Sequence, residues 1–534
     1  MILRVALPLA ALVSFGAAPP LPTASPTEQV AAAHVRAHVE YLADDRLEGR
    51  DTGSRGYQLG AEYVAAQFGK IGLEPGAPGG GWLQQVPYRR AVSGPTSLSL
   101  TLGRRRRTLQ LGRDAAIRPS LTERHRAIDA PLVFAGYGLD EPLLGLADYR
   151  GLDVRGKIVV ALHGAPPGLS PDIAAHLRST KDDAATRHGA IGLIEVGGDP
   201  PALDDRAVFD WVDGQGTSGL SPPGLRATII LSLAWQARLF DGARQSFAGV
   251  KAEARYRPPA GFNLAARLSL SADSSWQPYP SPDVIGRLPG TTRAEETVIV
   301  MAHLDHLGTK PNARPGEHAV YNGALDNAAG VATMIEAARA LAGGPRPARS
   351  ILFIANSGEE KGLLGAAWFA AHPTVPIGKI VAVIDLDMPL PLYDFRDVFV
   401  IGGDHSTLAR TVAEAGRPMG IAVARDPMPR ESLFVRSDHY RFVERGIPAV
   451  LLMTGYANGG ERVWKEFLAR TYHSVRDNLS QPINWRALAR YGMLNARIVR
   501  LLADGPDRPR WIAGDYFGDR FAPGQPRAVA AAQP

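Results

Sequence analysis

The sequence contains no cysteine. That absence excludes disulfide staples, thiolate metal sites, a cysteine nucleophile and a lipid-modified cysteine behind a leader peptide. No stretch beyond the N-terminus approaches the roughly 18 uninterrupted apolar residues of a membrane-spanning helix, so no membrane anchor is expected. Charge of one sign is also scarce, with a formal net charge of +6 over 534 residues. The one basic run, Arg104 to Arg107, has no aromatics among it. It lies between the alternating segments "SLSLTL" and "TLQL", and reads as the solvated turn of a hairpin, with no nucleic-acid partner implied.

What is present describes a soluble globular chain, at 45% hydrophobic and 21% charged residues. Its length exceeds one ordinary core, so two or more domains are expected. The opening "MILRVALPLAALVSFGAA" combines Arg4, an apolar run from Val5 to Phe15 too short to span a bilayer, and small residues at 16–18. That pattern predicts a signal peptide over residues 1–24 and a periplasmic or extracellular address.

Residues 28–127 open with two helical patterns, "VAAAHVRAHVEYLADDRLEG" and "GYQLGAEYVAAQFGKIGL", and continue as loop and hairpin. Residues 128–256 read as a small β-rich unit of their own, with runs "PLVFAGYG", "GKIVVALHG", "AIGLIEVGG" and "ATIILSL" and one helix, "DDAATRHGA". From 257 to 510, apolar strands ("TVIVMAH", "SILFIAN", "KIVAVIDLD", "DVFVIGG", "IPAVLLM") alternate with helices expected at 328–342, 361–371, 406–416 and 484–503. This predicts an α/β fold, a mixed and mostly parallel central sheet covered by helices on both faces. Residues 511–534 form a tail, expected to be disordered after about residue 520.

Ligands of such sheets gather beyond the carboxyl ends of the strands. His303 and Asp305 follow the first of these strands, Glu359 and Glu360 the second, and Asp387 the third; Asp326 opens a helix and His473 lies in "RTYHSVRDN". Alone, each has an ordinary explanation as a cap or a solvated helix start. Seven such positions on one edge call for a common cause. Two imidazoles and three carboxylates suit a pair of zinc-like ions, one carboxylate bridging them, with room left for water or substrate.

The motifs "HLDHLG", "GALDNAAGVA", "SGEEKGLLG", "DLDM", "RSDHYRFVERGIPAV" and "YHSVRDN" resemble those of the co-catalytic di-zinc aminopeptidases, metallopeptidase family twenty-eight. That family also holds glutamate carboxypeptidase and, more distantly, glutaminyl cyclase and transferrin receptor. The resemblance covers about residues 28–127 and 258–503, and the unit between them resembles a protease-associated (PA) domain. It implies a zinc exopeptidase fold, two Zn²⁺ ions and a peptide or protein substrate. His303 and Asp387 would bind one metal, Glu360 and His473 the other, and Asp326 would bridge. Glu359 would be the general base and acid, Tyr472 would stabilise the oxyanion, and the Asp305 carboxylate would orient the His303 imidazole. Asp326–Asn327 matches a position where the family often has a cis peptide.

Asp385 stands where the family more usually has asparagine, but Asp387, directly before Met388, fits the ligand position better. His306, His318 and His439 are set aside as ligands, and His405 is expected to cap a helix. A glutamate-carboxypeptidase-like enzyme is the alternative to an aminopeptidase, with Arg430 and Arg436 as possible holders of a terminal carboxylate. A glutaminyl-cyclase-like transferase and a non-catalytic binding protein on the same fold are less favoured, because every ligand and base position is filled.

Overall fold

The computed structural model describes residues 26–200, 203, 208–212 and 224–529. The predicted signal peptide lies outside the described residues. No helix among the described residues is long and apolar enough to cross a membrane.

Sixteen of the described strands form one sheet, and its two ends have separate hydrophobic cores. At one end the order is Ala422–Ala424, Asp397–Ile401, Ala449–Thr454, Ile380–Asp385, Arg293–His303, Arg349–Asn356 and Phe262–Leu288. Arg293–His303 pairs in parallel with both Arg349–Asn356 and Ile380–Asp385, which pairs in parallel with Ala449–Thr454. Every residue of Arg349–Asn356 and of Ile380–Asp385 is buried, as unbroken apolar strands require when helices cover both faces. Helices Ala329–Ala342 and Trp485–Asp504 pack on each other and join this core, as do Pro26–Leu42 and Arg55–Ile71.

At the other end, His125–Phe134, Ile158–Leu162, Gly192–Val196 and Ala227–Leu231 run parallel in that order. Strand Phe262–Leu288 joins the two ends: its first part pairs with His125–Phe134 and its last with Arg349–Asn356. Strand Leu83–Leu102 follows it antiparallel along most of its length.

The hairpin turns at Gly103 and Arg104, and Arg105 to Arg107 lie on its exposed second strand. Helix Pro171–Ser179 was not expected; its nine residues have few apolar positions to mark a period. The tail is packed well past residue 520, as far as Ala528. Trp511 and Phe517 are buried, Ala528 N–H donates to the Trp511 carbonyl (2.8 Å), and the Gln525 amide donates to the Gly446 carbonyl (3.0 Å). Alternating small and polar residues there hid a segment that pairs through its backbone.

Candidate metal centre

His303 is the last residue of its strand, and Asp387 lies two residues past the end of the neighbouring parallel strand. Their side chains meet, with Nε2 of His303 3.1 Å from Oδ1 of Asp387 and 3.2 Å from Oδ1 of Asp326. The other oxygen of Asp326, Oδ2, lies 3.2 Å from Nε2 of His473, which is also 3.2 Å from Oε2 of Glu360. One carboxylate thus faces an imidazole with each of its oxygens. His303 and Asp326 are almost wholly buried, whereas the His473 side chain is 36% exposed at the mouth.

The loop before helix Ala329–Ala342 is fixed from several sides. The Asp326–Asn327 peptide is cis. Asp477 accepts from the N–H groups of Leu325 and Asp326 (both 2.9 Å). The Asn327 amide donates to the Leu386 carbonyl (2.9 Å) and accepts from Met388 N–H (3.2 Å), so it grips the chain on both sides of Asp387. A Cβ on Gly330 would meet Asn327 Oδ1 and the Leu386 carbonyl at 2.1 Å each, which leaves glycine as the residue that fits. Met388 and His473 adopt left-handed φ of 46° and 51°. Non-glycine residues in that region cost of order 1–3 kcal/mol and persist where surroundings over-determine them.

Glu359 and Glu360 follow Gly358, whose φ of 69° and contact with the Tyr88 hydroxyl leave no room for a side chain. The two acids diverge: Glu360 faces His473, and Glu359 lines the cleft with Asp326, Asp387, Tyr472 and His473. Burial pushes Glu359 well above the usual carboxylate range, with His303 opposing and Glu360 adding to the shift. Burial likewise raises Asp387. Asp326 is driven far down in spite of burial, because His303 and His473 bond to it. At His473 the bonds to Asp326 and Glu360 outweigh burial and raise it to about 10. The Tyr472 ring stacks on His473, centroids 3.9 Å apart.

Asp305 orients His303 by a different atom from the one expected. Nδ1 of His303 is 3.0 Å from the Asp305 main-chain carbonyl and 3.9 Å from its carboxylate. The carboxylate instead accepts from the Thr52 hydroxyl (2.8 Å) and from Glu359 N–H (3.2 Å). It therefore ties the His303 loop to the Glu359 loop.

Three residues carry more than their sequence context suggested. His306, set aside as a ligand, is fully buried with Nδ1 2.8 Å from Oε1 of Glu360, and its Nε2 has no hydrogen-bond partner among the described residues. Arg50 is buried and donates to the carbonyls of Leu304 (2.8 Å), Asn322 (2.6 Å), Gly323 (3.0 Å) and Leu42, so one guanidinium pins the loops before and after His306. Ser437 Oγ lies 2.8 Å from Asp385 and 3.0 Å from Asp387. Of these, "RSDH" could have flagged Ser437; nothing local marks Arg50. Asp385 also faces His439 Nδ1 at 3.3 Å, His318 bonds Asn322 at 3.0 Å, and His405 pairs with Asp515, caps no helix and lies outside the cleft. Arg436 lines the cleft with its guanidinium 3.3 Å from the Glu431 carboxylate, whereas Arg430 is not among the cleft-lining residues.

Two groups of metal-capable side chains lie together, His303–Asp326–Asp387 and His306–Asp326–Glu360, with His473 beside the second. Nitrogen and oxygen donors converging from both sides on a shared carboxylate fit zinc, a borderline ion that accepts both.

Residues 283–499 match the model of peptidase family M28. A probable zinc metalloprotease of Leptosphaeria maculans is 25% identical over 289 residues, 47% of this chain and 65% of the relative, so the chain spans just under two thirds of its length. A probable lipoprotein aminopeptidase of Mycobacterium tuberculosis is 24% identical over 421 residues, 76% of this chain and 70% of its own. The fold resembles the solved aminopeptidase from Aneurinibacillus sp. strain AM-1, at a TM-score of 0.52 and 20% identity over 89% of this chain and 95% of that one.

Proposed function

Residues 283–499 belong to peptidase family M28, and on that premise we propose that the protein is a secreted, zinc-dependent aminopeptidase working with two ions. The observation that carries this reading is Asp326, whose two oxygens face His303 and His473 separately. His303 and Asp387 would hold one ion, His473 and Glu360 the other, and Asp326 both. His473 is preferred to His306 as the second imidazole because it opens on the cleft, whereas His306 is fully enclosed. Zinc at these donors supplies Lewis acidity for the scissile carbonyl and for the attacking water.

The chain's own groups do the rest. Nδ1–H of His303, donating to the Asp305 carbonyl, fixes the tautomer that leaves Nε2 bare for a ligand role. Glu359 takes the proton of the attacking water and delivers it to the leaving amine, a task its raised proton affinity suits. Tyr472, at the cleft wall, donates its hydroxyl to the developing oxyanion. The amino end of a peptide is preferred because the arginine that lines the cleft, Arg436, already faces the Glu431 carboxylate and is not free for a terminal carboxylate. The β-rich unit at residues 128–256 is proposed as a PA-like insert in the peptidase domain.

Three peptides, one free, one N-acetylated and one C-amidated, followed by mass spectrometry with and without a zinc chelator, test the reading. Chelator-sensitive loss of residues from free N-termini, blocked by acetylation, is expected. Trimming of the acetylated peptide but not the amidated one would replace it with a carboxypeptidase and give Arg436 the carboxylate-holding role.

A further inference from the structure

Helix Pro171–Ser179 belongs to the far half of the sheet by chain position, yet it lies against the catalytic half. It packs on the turns Pro429–Glu431 and Leu433–Val435, and Ile173 touches both hydrophobic cores. His176, on its last turn, is 4% exposed and sits among the rings of Tyr440, Tyr516, Phe517 and Phe521, at centroid distances of 5.5–6.1 Å. Its Nδ1 shares a 2.6 Å hydrogen bond with the Tyr440 hydroxyl. A polar ring enclosed by four aromatics has one specific partner, and that partner is in the "RSDHY" segment.

That segment forms one wall of the cleft. Leu433, Arg436 and Ser437 line it, Ser437 Oγ reaches Asp387, and Tyr440 N–H donates to the Ser437 carbonyl (3.1 Å). Phe434, between them, is buried against Tyr440 and Phe517. A second tie lies alongside: Glu141, from the same far half, accepts from the Tyr516 hydroxyl (3.1 Å) and pairs with Arg520 (3.0 Å). The wall is therefore held from the metal side through Ser437 and from the inserted unit through Tyr440.

We propose that the inserted unit is a positioning element for the substrate cleft, with His176 the residue through which it sets the wall at 433–440. The consequence for catalysis rests on the aminopeptidase reading; the mechanical coupling does not. Held from behind, the wall presents Leu433 and Arg436 at a fixed distance from Glu359. Released, it fits substrate less well while the reacting groups stay in place, so KM changes and kcat does not.

Tyr440→Phe, His176→Phe and the double variant test this in two ways. Amide hydrogen exchange over 433–440, on protein stripped of metal, needs no activity. Each single variant is expected to speed exchange there by about two- to tenfold, the worth of one hydrogen bond, and the double variant no further than either single. With peptide substrate, KM rises by a similar factor at nearly constant kcat. Unchanged exchange in Tyr440→Phe, which loses one oxygen and keeps its ring, would overturn the proposal even if His176→Phe failed to fold; so would additive effects in the double variant. A wild type that hydrolyses no free-amino peptide would sink the aminopeptidase reading instead, and the exchange data would still judge the coupling.

Discussion

Both halves of the sheet set parallel apolar strands side by side, and in both a histidine at a strand end meets an acid. In the half that holds His125–Phe134, His163 follows strand Ile158–Leu162 and lies 3.2 Å from Glu195. There Lys181, almost fully buried, donates to Glu195 (3.0 Å) and to the Leu162 carbonyl (2.6 Å). Against the pull of burial, His163 and Lys181 keep Glu195 below the usual carboxylate range. The catalytic half gathers Asp305, Asp326, Glu359, Glu360 and Asp387 around His303, His306 and His473, and the buried Arg50 guanidinium is spent on carbonyls. Burial pushes Glu359 and Asp387 up, and the opposing His303 imidazole does not offset it. The same architecture thus serves a self-neutralised cluster at one end and a cluster short of positive charge at the other. A deficit of that kind invites dications.

The comparison breaks most visibly at Asp326. Asp326→Ala should lose both ions, and activity should fall by at least about three orders of magnitude, as several kcal/mol of transition-state stabilisation disappear. Elemental analysis beside a peptidase assay checks it, and two ions retained would remove the bridging role. Glu359→Gln separates charge from ligation, with zinc content unchanged and kcat down about 10²–10⁴-fold. Near-normal turnover would assign the proton transfer to another group.

Asp283, fully buried in strand Phe262–Leu288, sharpens the comparison through pH. Burial raises it to about 7, although it accepts from Ser357 N–H (2.8 Å) and hydroxyl (3.0 Å). The folded state then holds a proton that the unfolded chain releases near pH 4. Its contribution is complete below about pH 4 and is lost as pH rises to about 7, a decline of order a few kcal/mol. Asp283→Asn should therefore gain on the wild type in urea unfolding between pH 4 and 7; equal slopes would mean that Asp283 is ionised throughout. The smallest effect belongs to the balanced cluster. Lys181→Met leaves Glu195 a third exposed, so a loss of about 1–2 kcal/mol in thermal unfolding is expected, with zinc content untouched.

Much of the catalytic half was legible because its signals are local. Unbroken runs such as "SILFIAN" mark doubly covered strands, and the polar residue after each run is where that fold exposes function. The structure brings together His303, Asp326, Glu359, Glu360, Asp387, Tyr472 and His473 at one cleft, with Asp305 behind it. What escaped depends on distance in three dimensions. Arg50 meets Leu304 and Gly323 across more than 250 residues, and its own neighbours, "LEGRD", read as an ordinary turn. His306 differs from a packing histidine only in what lies opposite it. Asp305 was given its orienting role through the carboxylate, because sequence names side chains and says nothing of which carbonyl a ring will find. Helix Pro171–Ser179 carries few apolar positions, and the rings that enclose its His176 come from the other half of the molecule.

Strand Phe262–Leu288 runs through both cores as a single 27-residue ribbon. For anyone wishing to dissect the molecule, it is a spine shared by two bodies. Trimming away the unit that begins with His125–Phe134 would strip Leu268 to Ala272 of a neighbour on one side and turn an interior ribbon into an open, alternating apolar edge. Such an edge is a template for strand addition. A shortened enzyme made by that cut would be expected to self-associate, and a clean truncation would need charges or a proline planted along the newly bared side.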